Sequence, residues 1–188
     1  GGSFDQVGPR TGGFAVIDAT TFEVKGRWEN GDDRPSLNYD FWYQPRKNVL
    51  VSSEFGEPNA YEKGFDLADV EAGRYGRRIH FWDLEQRTLQ QTVDLGEQGL
   101  VPLEVRWLHD PDAEQGFVGA ALSSVMWRFH RNGAWAADPV IAVDPVERLP
   151  ALLGLAVGND DPEEPRAACL ERALERRRIQ GSDDLVGD

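Results

Sequence analysis

The sequence predicts an all-β fold assembled from antiparallel hairpins, and three observations predict it. Val, Phe, Trp and Thr recur at period two in short runs bounded by Asn, Asp, Gly and Pro, the pattern of half-buried strands joined by tight turns. Twenty Gly, 11 Pro and six Trp in 188 residues supply many turns around aromatic-rich strands. The same order of four strands occurs twice, at a spacing of roughly 40–45 residues once one insertion is set aside.

The elements follow in order. Phe14–Asp18 and Phe22–Trp28 form a first hairpin around Ala19-Thr20-Thr21. Tyr39–Tyr43 breaks at Gln44–Asn48 and resumes as Val49–Ser53. Arg78–Asp83 turns at Glu85-Gln86-Arg87 into Thr88–Asp94. Leu103–Leu108 turns through His109–Asp112 into Gly116–Leu122, and Val125–Phe129 turns at Arg131-Asn132-Gly133 into a strand reaching Val143. An aromatic strand that ends on Asp occurs at both Phe14–Asp18 and Phe81–Asp83. The matched four-strand units read as β-propeller blades, about two and a half of them, with 14–28 as the outer half of the first. A β-sandwich uses similar strands at similar spacing and is the competing architecture.

Between the second and third strands of the first full unit lies an insertion of 23 residues, 55–77. Asp66 followed by Leu67-Ala68-Asp69 and Gly73 reads as an N-cap, a helical turn and a glycine stop. Long loops on rigid sheets often carry function; the structural alternative is a lid packed down by Phe55, Tyr61, Phe65 and Tyr75. After Pro150 the character changes, so the chain divides into a partial propeller over 1–150 and a divergent tail over 151–188. In that tail Arg166–Gln180 reads as a short helix stopped by Gly181, and 182–188 as disorder.

Composition excludes several functions. Lys+Arg total 20 and Asp+Glu 33, a formal charge of −13, which repels phosphate backbones and argues against nucleic-acid binding. No apolar run reaches the roughly 18–20 residues that span a bilayer, so the expectation is a soluble protein, cytoplasmic or periplasmic. Cys169 is the single cysteine, so neither an intrachain disulfide nor a CxxC site can form. The chain begins at Gly1 and its only methionine is Met126, so it is read as a fragment or a processed product. P-loop, nucleophile-elbow and HExxH patterns are missing from the sequence.

Several blocks resemble the selenium-binding protein family: Gly12–Gly26, Tyr39–Arg46, Ala68–Gly73, Pro102–Arg106, His109–Ala113, and Gln115–Gly119 with Ala121–Ser124. The resemblance covers about residues 8–150 and implies a seven-bladed propeller. It further implies a methanethiol oxidase, with a small thiol and oxygen as substrates, formaldehyde, hydrogen sulfide and hydrogen peroxide as products, and copper as the expected metal. Selenium association through a cysteine is also implied; Cys169 falls outside the matched blocks and does not inherit that role.

Two residues emerge as candidates. Glu54 closes a strand beside the insertion and matches the family, which makes it the candidate catalytic group. His109, in a family block, is the candidate metal ligand; the competing reading is a histidine holding its turn. His80 and His130 read as ordinary strand or turn residues. In a propeller Glu54 and His109 lie on opposite faces and cannot share a metal ion. A chain lacking most family ligands is expected to be inactive alone, and the second functional reading is a non-enzymatic scaffold that binds selenium, metal or a protein partner.

Overall fold

The computed structural model describes residues 12–32 and 34–143. The described residues form ten antiparallel strands in three sheets: β1 (Ala15–Ile17) with β2 (Val24–Arg27), then two four-stranded meanders. Sheet 1 runs β3 (Phe41–Gln44), β4 (Val49–Ser53), β5 (Arg78–Asp83), β6 (Thr88–Asp94); sheet 2 runs β7 (Pro102–Trp107), β8 (Gln115–Ala120), β9 (Val125–Asn132), β10 (Ala134–Ala142). The fold is therefore all-β, with the strands at nearly the positions the alternation predicts. The tail segments and Cys169 lie outside the described residues.

The main core lies between the two meanders. Val49, Val51, Ile79 and Phe81 from sheet 1 meet Val105, Trp107, Val118, Phe129 and Trp135 from sheet 2. Phe81 stacks on Trp135 with ring centroids 4.1 Å apart and planes 3° from parallel, and meets Phe129 edge-on at 5.8 Å. Polar ties add register to this apolar contact. Gln91 donates to Trp135 O at 2.7 Å and accepts from Trp135 N at 2.9 Å, while Ser53 Oγ donates to Leu103 O at 2.7 Å.

Alternation sends Leu50, Ser52, His80 and Trp82 to the opposite face of sheet 1. There Trp82 donates its indole N–H to Ser52 Oγ at 3.0 Å and packs against Phe14 (5.5 Å) and Trp28 (6.2 Å) of the β1–β2 hairpin. The centre of sheet 1 is thus covered on both faces, which is why every residue of β4 is buried. The hairpin, sheet 1 and sheet 2 are three successive layers.

The hairpin also repeats β5–β6 residue for residue. Val16 pairs Gly26 and Ile17 pairs Val24, skipping Lys25; Phe81 pairs Gln91 and Trp82 pairs Leu89, skipping Gln90. Each hairpin turns on the aspartate the sequence analysis noted. Phe22 N donates to Asp18 O and Arg87 N to Asp83 O, and Phe22 (φ 58°) and Arg87 (φ 60°) both adopt the left-handed conformation. Asp18 Oδ1 accepts from Thr20 N and Thr21 N, both at 2.9 Å. Asp83 Oδ1 accepts from Gln86 N at 2.7 Å and Asn48 Nδ2 at 3.1 Å. Backbone amides, from Thr21 and Gln86 first, hold both carboxyls below the usual aspartate range.

The last hairpin is tighter than expected. Asn132 pairs with Ala134 across Gly133 alone, possible because Gly133 takes φ 78°. β9 therefore runs on through His130, which lies within a strand and not at the start of a turn.

Candidate functional site

Glu54 follows β4 and extends its ladder by one bond, donating its N–H to Arg78 O at 3.2 Å. Its carboxylate lies with Ser52 on the face away from sheet 2, where register sets His80 opposite Ser52 and Thr92 opposite His80. A chain of hydrogen bonds results. Glu54 Oε2 accepts from the backbone N–H of Arg77 and of Arg78, each at 3.1 Å. Glu54 Oε1 lies 3.2 Å from His80 Nε2, and His80 Nδ1 lies 2.9 Å from Thr92 Oγ1. Glu54 is 3% and His80 2% exposed, whereas Thr92 is exposed. The neutral tautomer that satisfies both contacts carries its proton on Nε2, donates to Glu54 and accepts from the Thr92 hydroxyl.

Gly76 makes this packing possible. A Cβ there would stand 2.4 Å from Glu54 Cβ and 2.6 Å from Glu54 Oε2, so a side chain would push the carboxylate off the amides it binds. The guanidinium groups of Arg77 and Arg78 turn outward to Asp94, at 3.1 and 3.5 Å; the backbone of these residues, not their charge, binds Glu54.

The insertion closes into a compact loop whose neck Glu54 ties. Gly56 bridges Tyr75, and Gly76 N donates to Phe55 O at 2.7 Å. Its body holds α1 (Pro58–Tyr61) and α2 (Leu67–Glu71); Asp66 caps α2 by accepting from Ala68 N. Phe55 contacts Tyr39, Tyr61 and Tyr75, and Ala60 and Tyr75 pack with Val101 of the β6–β7 connection. Buried Asp69 pairs with Lys63 at 2.9 Å and Arg74 at 2.8 Å. Burial pushes the Tyr75 phenol upward, with the Asp69 charge adding to it. Phe65, by contrast, is largely exposed.

The structure brings Glu54 and His80 together and keeps the other histidines elsewhere. His109 is exposed in the β7–β8 turn, whose neighbour across the sheets is the β3–β4 turn, joined by Arg46 and Asp112 at 3.2 Å. That is the end opposite Glu54. The turn is held by Asp110, which accepts from Asp112 N at 2.9 Å. His130 lies 2.9 Å from Asp138, which also pairs with Arg128 at 3.2 Å. Arg128, then His130, hold the Asp138 carboxyl below the usual range. Among the described residues no three His, Cys, Asp or Glu side chains converge into a metal-holding group. With both nitrogens of His80 engaged inside the fold, these residues do not by themselves fit a copper site, which calls for imidazole or sulfur donors converging on one point.

His80 and Thr92 were missed as partners of Glu54. The signal that could have found them is the alternation itself, which puts positions 52, 54 and 80 on one face once β4 and β5 are paired.

A family model described as 56 kDa selenium binding protein matches residues 3–156. A methanethiol oxidase from Xenopus laevis is 48% identical over 167 residues, covering 84% of this chain and 35% of that protein. One from Danio rerio is 53% identical over 141 residues, covering 74% and 31%. The Homo sapiens methanethiol oxidase is 49% identical over 157 residues, covering 80% and 33%. The X-ray structure of a hypothetical selenium-binding protein from Sulfolobus tokodaii matches with a TM-score of 0.64 and 38% identity, covering 79% of this chain and 34% of that one. The chain spans about a third of the length of the curated relatives it matches.

Proposed function

The chain belongs to the selenium-binding protein family, and from that premise we propose that it is a segment of a methanethiol oxidase. The observation that carries the proposal is identity of about half, sustained across most of the chain, to proteins bearing that name. The reaction takes methanethiol, oxygen and water to formaldehyde, hydrogen sulfide and hydrogen peroxide. In this reading the hairpin and the two meanders are about two and a half wedges of a seven-bladed propeller. The repeated hairpin register and the stacking of three layers support that geometry. Copper, where the whole enzyme uses it, takes its ligands chiefly from parts of the protein beyond the described residues. Glu54 remains the candidate polar group of this segment, with His80 bonded to it.

The segment alone is expected to release no peroxide from methanethiol, with or without added copper, while the full-length protein that contains it does so. Turnover by the 188-residue chain, or a full-length protein without thiol-dependent peroxide release, refutes the reading. The second reading is a scaffold that binds a partner without turnover. It is favoured by one observation: His80 is already bonded to Glu54, and His130 to Asp138. A full-length protein that binds copper stoichiometrically yet forms no peroxide would decide for it.

A further inference from the structure

The hydrogen-bonded chain that begins at buried Glu54 ends on a hydroxyl that faces solvent. Thr92 stands on β6, an edge strand of sheet 1, and its Oγ1 lies 2.9 Å from His80 Nδ1. The other ring nitrogen lies 3.2 Å from a carboxylate that two backbone amides hold in place. A hydroxyl within reach of an imidazole, itself oriented by a buried carboxylate, is the arrangement that activates a nucleophile. The order of parts is that of a Ser-His-Asp triad with the two ring nitrogens exchanged. The exposed Thr20 and Thr21 have different surroundings: their backbone N–H groups bond Asp18, the Thr21 hydroxyl accepts from Glu23 N, and among the described residues neither hydroxyl meets an imidazole.

We propose that Thr92 is an acyl-accepting nucleophile, with His80 as its general base and Glu54 orienting the imidazole, toward activated esters. As Thr92 Oγ1 bonds to the ester carbonyl carbon, its proton passes to His80 Nδ1. The imidazolium so formed keeps its Nε2 proton on Glu54, whose charge compensates it. Collapse of the adduct breaks the bond to the leaving oxygen, which takes the Nδ1 proton, leaving acyl-Thr92 and neutral His80. No oxidant or metal enters the balance. Arg78 lies two residues before His80 on the same face of β5, its half-exposed guanidinium paired with Asp94.

The test is acetylation of the 188-residue chain by p-nitrophenyl acetate, read by peptide mass spectrometry. Thr92 is expected to acquire acetyl at least about tenfold faster than Thr20 and Thr21 in the same molecules, a threshold set below the roughly 100-fold that a positioned base supplies at the low end. This comparison needs no variant, so a folding defect cannot obscure it. In His80→Gln the Thr92 rate should fall to that of the two reference threonines, and Thr92→Val should remove that modified peptide alone. Equal rates at the three threonines in the unaltered chain overturn the proposal, and so does a Thr92 rate unchanged by His80→Gln in a folded variant. The experiment is independent of thiol oxidation, so neither reading falls with the other.

Discussion

Replacing Glu54 by alanine isolates the residue on which the insertion neck, β4 and β5 converge. The substitution strands three donors: the N–H of Arg77, the N–H of Arg78 and Nε2–H of His80. His80 is 2% exposed, so its orphaned N–H carries the full penalty, about 1–3 kcal/mol. The two amides belong to exposed residues that water can reach in part, so each costs about 0.5–1.5 kcal/mol, the net worth of an ordinary hydrogen bond. The three share one carboxylate and relax together, so the loss should be about 3 kcal/mol, toward the lower end of what breaking a buried pair costs. Glu54→Gln keeps an oxygen for the amides. It can place its NH2 against His80 Nε2 once the ring takes the other tautomer and donates Nδ1–H to Thr92. Only the charge is lost, and the cost should be about 1 kcal/mol. Urea unfolding of the 188-residue chain, followed by tryptophan fluorescence, measures both; amide exchange at Arg77 and Arg78 reports the neck alone. An alanine variant within about 0.5 kcal/mol of the parent, or a glutamine variant as damaged as the alanine one, would show that the carboxylate does not tie the neck.

Two further outcomes follow from the core and the turns. Phe81→Ala removes a fully buried ring that stacks on Trp135 and meets Phe129; it should cost about 3–5 kcal/mol, while Phe65→Ala on the exposed loop should cost less than about 0.5 kcal/mol, both by urea unfolding. Asp83 titrates below the ordinary aspartate range because Gln86 N and Asn48 hold its ionised form. The unfolded chain then binds that proton more readily than the folded one, so the stabilisation is present above about pH 4 and fades as pH falls through the folded value. Asp83→Asn should lower the urea midpoint at neutral pH and flatten its decline on the acid side; an unchanged acid limb would refute the assignment.

Most of the strand order was legible because one face of each strand is apolar and the turn residues are Asp, Asn, Gly and Pro. Phe81 facing one way and His80 and Trp82 the other follows from alternation alone. The aspartates at 18 and 83 were legible as a repeat, and the structure gives the reason: each caps the same turn. The short helix at Pro58 has its own signal, a proline at the first helical position, beside the Asp66 cap and Gly73 stop that mark the second. The pairing of Glu54 with His80 was harder to read, because alternation puts both on one face only once β4 and β5 are paired, and that register is set across the 24 residues between the two strands. The extent of β9 was misjudged for a different reason: three turn-forming residues at 131–133 suggested a loose turn, whereas Gly133 alone can reverse the chain. His109 shows a third kind of limit, since an exposed turn residue carries the same letters whether or not anything binds it.

The layer order bears on architecture more strongly than any single strand. In a two-sheet sandwich each sheet keeps one face for its partner and gives the other to solvent, so strands alternate between buried and exposed. β4 breaks that rule along its whole length, and β5 along all but its first residue. Four residues before its turn-capping aspartate, the first hairpin carries Phe14, which packs on Phe41 and Trp82 of sheet 1. Four residues before the equivalent aspartate, sheet 1 carries Ile79, which packs into sheet 2. The same position of each unit therefore meets the next unit along the chain, a head-to-tail relation and not a face shared by two halves. Such a relation has no internal stop. The exposed Phe22 and Val24 of the hairpin, and Met126 and Ile141 of sheet 2, leave apolar surface on both outer layers of the described residues.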